Sequence, residues 1–379
     1  GEGLRFSSDV FLPIPLLNFS LGKYAFTTSS KLFLGFGLPQ GLIDLLFFGN
    51  EVGRELSIEI PLEMMAAQEN AISYGFKIDD FAFGISAKYI LGCFYTGLES
   101  IDSSYFVTDT SAFNGQGSFL AKQAIGGNGF GVDLGISSNS LLEDWQFSVS
   151  IANLFSSIKW EQDHFLRTPL NEPIKGIIGD EYFLRQNEQY YYFFGVDSLN
   201  AFNLNSKPID DMIFRSGYPV VKVSSLSQIP SGSNYVDSLI VPLADSSGFL
   251  VPSSEFSDST LILIASEPFT TNYPSLFRLG ISKSFDESLT FNLDMTTGFS
   301  NDLGSYDNWR LALGTEITHF PFIDLRSGIG IGGVYDSSIS IGIGLHLGPL
   351  YLDVGLATRD GFSINSLKGI DFALSTCLR

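Results

Sequence analysis

The sequence predicts an all-β chain: a transmembrane antiparallel up-and-down β-barrel of about 14 strands. Three observations carry that prediction. Apolar and polar residues alternate with period two through long segments. Those segments run about 10 to 13 residues, against a usual five or six in globular sheets, and a tilted membrane-crossing strand needs roughly 9–11. The links between them alternate between tight and long, as short periplasmic turns alternate with longer outside loops in outer-membrane barrels.

The elements follow in order. Residues 1–50 hold short apolar pieces broken by Pro13, Pro15, Gly35, Gly37, Pro39 and Gly41. They precede the first regular strand pattern and read as a hatch or plug folded into the bore, with a periplasmic arm as the alternative. The barrel proper is expected over 51–379. Its first half reads as strands at Arg54–Leu62, Ala71–Ile78, Phe81–Tyr95, Gly117–Ala124, Gly129–Ser137 and Trp145–Phe155. The tight links there are Asp79-Asp80 and Gly126-Gly127-Asn128. Residues 160–274 carry nine of the 15 prolines, and proline is poorly tolerated inside sheets. This stretch reads as one large, mostly extracellular insertion, with a single strand at Gln189–Asp197.

The last third alternates almost without error. Leu289, Phe291, Leu293 and Met295 alternate with Thr290, Asn292, Asp294 and Thr296. Trp309, Leu311 and Leu313 alternate with Arg310, Ala312 and Gly314. Ile339, Ile341, Ile343, Leu345 and Leu347 alternate with Ser340, Gly342, Gly344 and His346. Side chains on a strand point to opposite faces in turn, so each segment has one apolar and one polar or small face. Lys368–Leu378 closes the count, with both termini on the periplasmic side.

Composition agrees. The 379 residues include 41 Asp and Glu against 21 Lys and Arg, a net charge of -20, which is the wrong sign for nucleic acid. Only 16% are charged, where a soluble domain has about 25%. Aromatics reach 14% and mean hydropathy is +0.19, too apolar for a disordered chain. Yet no helix suits a membrane. A spanning helix needs about 20 apolar residues, and the best stretch, Leu32–Phe48, is broken by three glycines, Pro39 and Asp44. If half of every strand faces lipid, high hydropathy and low charge follow without an apolar run. Gly1 is not a start methionine, so the chain reads as processed or cut, with no signal peptide left to interpret. Cys93 and Cys377 are too few for a disulfide framework and fall at opposite ends of their strands, so two free thiols are expected.

Chemical motifs are scarce. Gly328, Gly330 and Gly333 match G-x-G-x-x-G, but inside alternating strand sequence with no following helix, so they read as small residues on the polar face. His164, His319 and His346 show no metal spacing, and no G-x-S-x-G elbow occurs. No catalytic, cofactor or metal site is expected, and the chain does not read as an enzyme. The alternation places Glu55, Glu59, Lys77, Lys88, Asp133, Arg278, Asp294, Arg310, Glu316, Asp324, Arg326, His346 and Asp353 on the polar, lumen-lining face. Either they form a selectivity surface, or they are a mutually neutralising network that fills the bore. The mixed signs favour the network.

The runs Ala71–Ile90, Gly129–Gly135, Trp145–Leu154, Leu325–Gly328, Ser340–Leu345 and Leu350–Gly355 resemble outer-membrane barrels of the FadL and PorV type. That resemblance implies a fourteen-stranded barrel with an N-terminal hatch in a bacterial outer membrane. It implies one of two roles: transport of hydrophobic or amphipathic small molecules, or service as a non-transporting adaptor barrel in a secretion or surface complex. The expected partners are outer-membrane lipids and lipopolysaccharide, and partner proteins at the insertion. The barrel is expected as a monomer or a subunit of a hetero-complex. The long insertion and the C-terminus without a terminal aromatic depart from the family pattern.

Overall fold

The structure, a computed structural model, describes residues 3–378 apart from 15–16, 50, 101–103, 111, 143, 162, 179–187, 200–212, 220–268, 286–287, 301–302, 304, 335 and 362–366. The described elements begin with β1 (Leu4–Pro13), β2 (Phe19–Leu21), β3 (Tyr24–Leu38), α1 (Gln40–Phe47), β4 (Glu55–Ser57) and β5 (Leu62–Ile78). Then come β6 (Phe81–Ser100), β7 (Tyr105–Thr108), β8 (Phe113–Leu142), β9 (Trp145–Trp160), α2 (Arg167–Ile178), β10 (Glu188–Leu199), β11 (Ile213–Pro219) and β12 (Thr270–Asn272). The chain finishes with β13 (Leu276–Phe285), β14 (Leu289–Thr297), β15 (Arg310–Phe320), β16 (Ile323–Gly332), β17 (Ser337–Leu347), β18 (Leu350–Arg359) and β19 (Gly369–Leu378). Among the described residues no helix is long and apolar enough to cross a membrane.

One antiparallel ladder runs β1, β3, β5, β6, β8, β9 and then β13 through β19. This is the all-β, up-and-down barrel wall that the alternation predicts. Its registers pair like with like. Leu313 sits opposite Leu293 and Ile329, and Gly314 opposite Asn292 and Gly328. The apolar residues form an open outer surface; Ile341 is 60% exposed and Phe372 66%. At the tight-turn ends this surface carries rings in contact: Tyr24 with Tyr74, Tyr74 with Phe76, Phe76 with Phe83, and Phe285 with Phe291. Aromatic girdles of this kind mark a membrane interface.

The two halves of the wall differ in height. Strands β13–β19 have 9 to 11 residues, enough to cross a membrane. Strands β5, β6, β8 and β9 have 17, 20, 30 and 16. Since all rise from the same row of tight turns, the first half overshoots the apolar belt. The overshoot builds an upper storey. The upper part of β8 pairs with β7, which pairs with β4, and on its other edge with β10, which pairs with β11.

Four sequence expectations need correction. Residues 1–50 do not stay out of the wall: β1 and β3 pair over ten positions, and β3 and β5 over thirteen. The glycines there do not break the strand. A Cβ at Gly37 would lie 2.6 Å from Pro61 Cγ, and one at Gly35 3.1 Å from Leu303 Cδ1, so they admit neighbours. Among the described residues of this segment α1, packed on β4, leaves the wall. Second, Arg54–Leu62 is not a wall strand, because β4 belongs to the upper storey. Third, Gly126-Gly127-Asn128 is not a turn. The two strands expected around it are one strand, β8, and the true hairpin lies between Leu142 and Trp145. Fourth, the strand at Gln189–Asp197 exists as β10, but it pairs with β8 in the upper storey and is not in the wall. With these changes the described ladder holds thirteen strands, in keeping with a barrel of about fourteen, and the chain enters β1 at the end opposite to where it leaves β19.

Candidate functional site

Two charged clusters and one break in the ladder occupy the polar face. The first cluster crosses β3, β5, β6, β8 and β9 as a row. Lys31 Nζ lies 2.7 Å from the Glu69 carboxylate, and Lys88 Nζ lies 3.5 Å from Glu69 and 2.8 Å from Asp133. Lys88 also donates to Asn153 Oδ1 at 2.8 Å, while the Asn153 backbone N–H donates to Asp133 at 2.8 Å. Tyr273 Oη donates to Glu69 at 2.8 Å. Two ammonium groups face two carboxylates, so buried charge is balanced.

Above the row lies an aromatic cap. Phe33, Met65, Tyr95, Trp160, Phe269 and Tyr273 form one buried cluster. Trp160 is fully buried, and its Nε1 donates to Thr271 Oγ1 at 3.0 Å. Tyr95 stacks obliquely on both Trp160 and Phe269 and donates to Glu63 at 2.9 Å. Glycines make room for the indole. A Cβ at Gly92 would sit 2.7 Å from the Trp160 ring, and one at Gly127 2.8 Å from Ile158 Cγ2. This packing is why the glycine-rich stretch of β8 lies inside a strand. The cap stands above the belt, in the overshooting half.

The second cluster belongs to β15–β18. Arg326 reaches Glu316 at 2.8 Å, Asp353 at 2.6 Å and Asp324 at 3.7 Å, and His346 Nε2 lies 2.8 Å from Asp324. These residues are more open than the first cluster, apart from Asp324, which is buried.

The break is in β9. Asn153 and Phe155 adopt positive φ values of 57° and 58°. Such left-handed backbone costs a non-glycine residue about 1–2 kcal/mol. Here the β8–β9 register shifts twice, between Phe130 and Val132 and between Val132 and Leu134. On the other edge, β13 pairs with β9 only up to Ala152; backbone bonding resumes where the Tyr273 N–H donates to the Ser156 carbonyl at 3.2 Å, and strand pairing resumes at Ser157 with β12. Asn153 Nδ2 bridges the gap to the Pro274 carbonyl at 2.7 Å, and Phe155 is 90% exposed. Asn153 stands eight residues above the start of β9, within the height of the apolar belt.

The structure brings together Lys88 with Asp133, and Glu316, Asp324, Arg326, His346 and Asp353 with one another. Arg310 lies on the same face and donates to Ser338 at 3.3 Å. Arg278, Asp294 and Lys77 share that face by register, and all three are exposed. Glu55 and Glu59 are not there; they are exposed in and beside β4, because Arg54–Leu62 leaves the wall. Sequence reasoning missed Lys31, Glu69, Asn153 and Tyr273. The alternation of Met65, Ala67, Glu69 and Ala71 could have found Glu69, had the strand been started earlier. Among the described residues no group of His, Cys, Asp and Glu is arranged to hold a metal ion. Cys93 and Cys377 are free thiols.

A model for a family of unknown function, DUF5723, matches residues 8–191. No curated protein matches. Among solved structures, the toluene transporter TodX of Pseudomonas putida aligns over 98% of this chain and 85% of its own, at 9% identity and a TM-score of 0.46. The toluene transporter TbuX of Ralstonia pickettii aligns over 99% and 88%, at 12% identity and 0.45. The monoaromatic hydrocarbon channel CymD aligns over 99% and 86%, at 10% and 0.46.

Proposed function

We propose that the protein is an outer-membrane barrel that passes a hydrophobic or amphipathic small molecule through its wall at the β9 break. The ladder to β13 and β12, interrupted from Asn153 to Phe155, carries the reading. Backbone polar groups facing lipid must be satisfied inside the protein, so a lasting break at belt height is expensive and calls for a use. Asn153 ties the break to the buried charge row through Lys88 and Asp133, and the row is tied through Tyr273 to the aromatic cap. Movement of the cap would thus be felt at the break. Of the two roles that the FadL and PorV resemblance implies, transport is the one that gives the break a use.

The test is uptake of a fluorescent long-chain fatty acid by cells that carry the protein in the outer membrane. A disulfide between Leu154→Cys and Ser275→Cys staples the break. Uptake is expected to fall under oxidation and to recover with dithiothreitol. Uptake unchanged by the staple contradicts a route through the wall.

The upper storey favours a second reading, an adaptor barrel. Strands β10 and β11 carry the sheet of β8 beyond the wall, where a protein partner can reach it. An adaptor keeps its partner when the break is stapled, and shows no uptake at all.

A further inference from the structure

The inner face of the wall is filled on one side and open on the other. Across β3, β5, β6, β8 and β9 it is covered by the charge row and the aromatic cap. Along β13, β14 and β15 it carries Arg278, Asp294 and Arg310, all exposed. An exposed charged face inside a barrel is a water path. The outer end of that path lies beside Leu276, Thr297 and Arg310, at the ends of these strands remote from the tight turn.

The link between β14 and β15 folds over this outer end. At its feet Phe299 and Trp309 meet edge to face on the outer surface, and both rings meet Phe277. Phe299 has a positive φ of 61°, and beyond it the chain turns inward. The Tyr306 hydroxyl bonds to Thr296 Oγ1, and Thr296 shares one register row of the polar face with Arg278 and Arg310. Ser305 Oγ donates to the Ser275 carbonyl at 3.2 Å, and Ser275 Oγ donates to the Gly298 carbonyl at 2.7 Å. Leu303 reaches furthest. It packs against the buried aromatic cap, and its Cδ1 lies 3.1 Å from where a Cβ on Gly35 would stand. Gly35 belongs to β3. Strands β5, β6, β8, β9 and β13 stand between β3 and β14 in the wall, so Leu303 crosses the bore.

Glycines make the seat at both ends. A Cβ at Gly35 would crowd Leu303, and one at Gly298 would lie 1.8 Å from Ser305 Oγ, so a side chain there lifts the link.

We propose that the link between β14 and β15 is a strap that closes the outer end of the water path, with Leu303 as its latch on β3. An apolar side chain set in a narrow wet mouth holds back hydrated ions, because water leaves the constriction. Displacing the latch opens the path, as lids do over other sites. This rests on the membrane-barrel reading of the wall and not on the route at the β9 break.

The experiment measures ion current through the full-length protein in planar lipid bilayers in potassium chloride. Three variants are compared with the wild type: Leu303→Ser, Gly298→Ala, and the pair Gly35→Cys with Leu303→Cys in a chain that also carries Cys93→Ala and Cys377→Ser. Heat-modifiable gel mobility checks that each barrel is folded. The expected result is a wild type that is almost closed and single variants that conduct severalfold more. The cysteine pair should conduct like Leu303→Ser until a short bismaleimide bridges it, and then fall to the wild-type level. Folded Leu303→Ser and Gly298→Ala barrels with wild-type current overturn the proposal. So does a wild type that already conducts as freely as the variants. If the single variants do not fold, the cysteine pair decides: failure of the bismaleimide to bridge residues 35 and 303 in the folded protein overturns the placement of the latch. Fatty-acid uptake is not read, so failure here leaves the route at the break standing, and failure of that route leaves the strap.

Discussion

Tyr273 donates its phenolic hydrogen to the Glu69 carboxylate at 2.8 Å, across 204 residues of sequence. Glu69 is on β5 and Tyr273 follows β12, beside β9, so the contact spans the face of β6 and β8. It exists because the wall curls, and it holds the segment from Phe269 to Tyr273 against the inner face.

Removing this contact should loosen the cap without unfolding the wall. Tyr273→Phe deletes a hydrogen bond to a charged group, worth about 1.5–3 kcal/mol. Glu69→Ala leaves Lys31 and Lys88 facing each other and is expected to cost about 3–5 kcal/mol, as for a broken buried pair. Urea unfolding in lipid vesicles reads both. Equal losses would show that the charge row adds nothing beyond the tyrosine contact.

Gly92 and Gly129 test the packing under Trp160. Gly92→Ala pushes a methyl group against the Trp160 ring and Ile158, at an overpacking cost of about 1–3 kcal/mol. Gly129→Ala meets the Ser157 carbonyl at 2.4 Å, where backbone must shift, and should cost more. Comparison of unfolding midpoints checks the order. Gly84→Ala, with open space around the new methyl, is the control.

His164 lies in the link after β9, above the belt. Burial pushes its imidazole below the usual value, with Glu161 opposing. The folded protein therefore binds this proton more weakly than the unfolded chain. Stability from this group is unaffected above about pH 6.5 and is lost as pH falls below that, until the folded form also protonates. Histidine hydrogen exchange followed by mass spectrometry should find His164 titrating below a free imidazole. A value above it contradicts the buried placement.

Cys93 and Cys377 should both alkylate under non-reducing denaturation. In the native protein, exposed Cys377 should react before half-buried Cys93. A Cys93–Cys377 disulfide in non-reducing mass spectrometry contradicts the topology.

The second half of the wall was legible because each strand there presents one uninterrupted apolar face. Strands β14 to β18 were readable from Leu289, Leu311, Ile329, Ile341 and Leu352 and their neighbours. The first half was harder for physical reasons. Gly126 and Gly127 look like a turn, but they serve Trp160 and His164, side chains supplied by residues distant in sequence. Leu4, Phe6, Val10 and Leu12 alternate well enough to mark β1, yet Pro13 and the following glycines masked the signal. The charged pairs of β15–β18 follow from register and were foreseeable. The Lys31–Glu69–Lys88 row depends on β3 joining β5, and the break at Asn153 leaves no trace in residue type.

The most direct test of a lipid-facing wall is a spin-label scan of Ile339–Leu347 in reconstituted bilayers. Oxygen accessibility should peak at Ile339, Ile341, Ile343, Leu345 and Leu347. A water-soluble nickel complex should reach Ser340, Gly342, Gly344 and His346 instead. Period-two alternation with the two reagents out of phase is the expected result. Apolar positions closed to oxygen, as in the core of a two-sheet soluble fold, would contradict the membrane barrel.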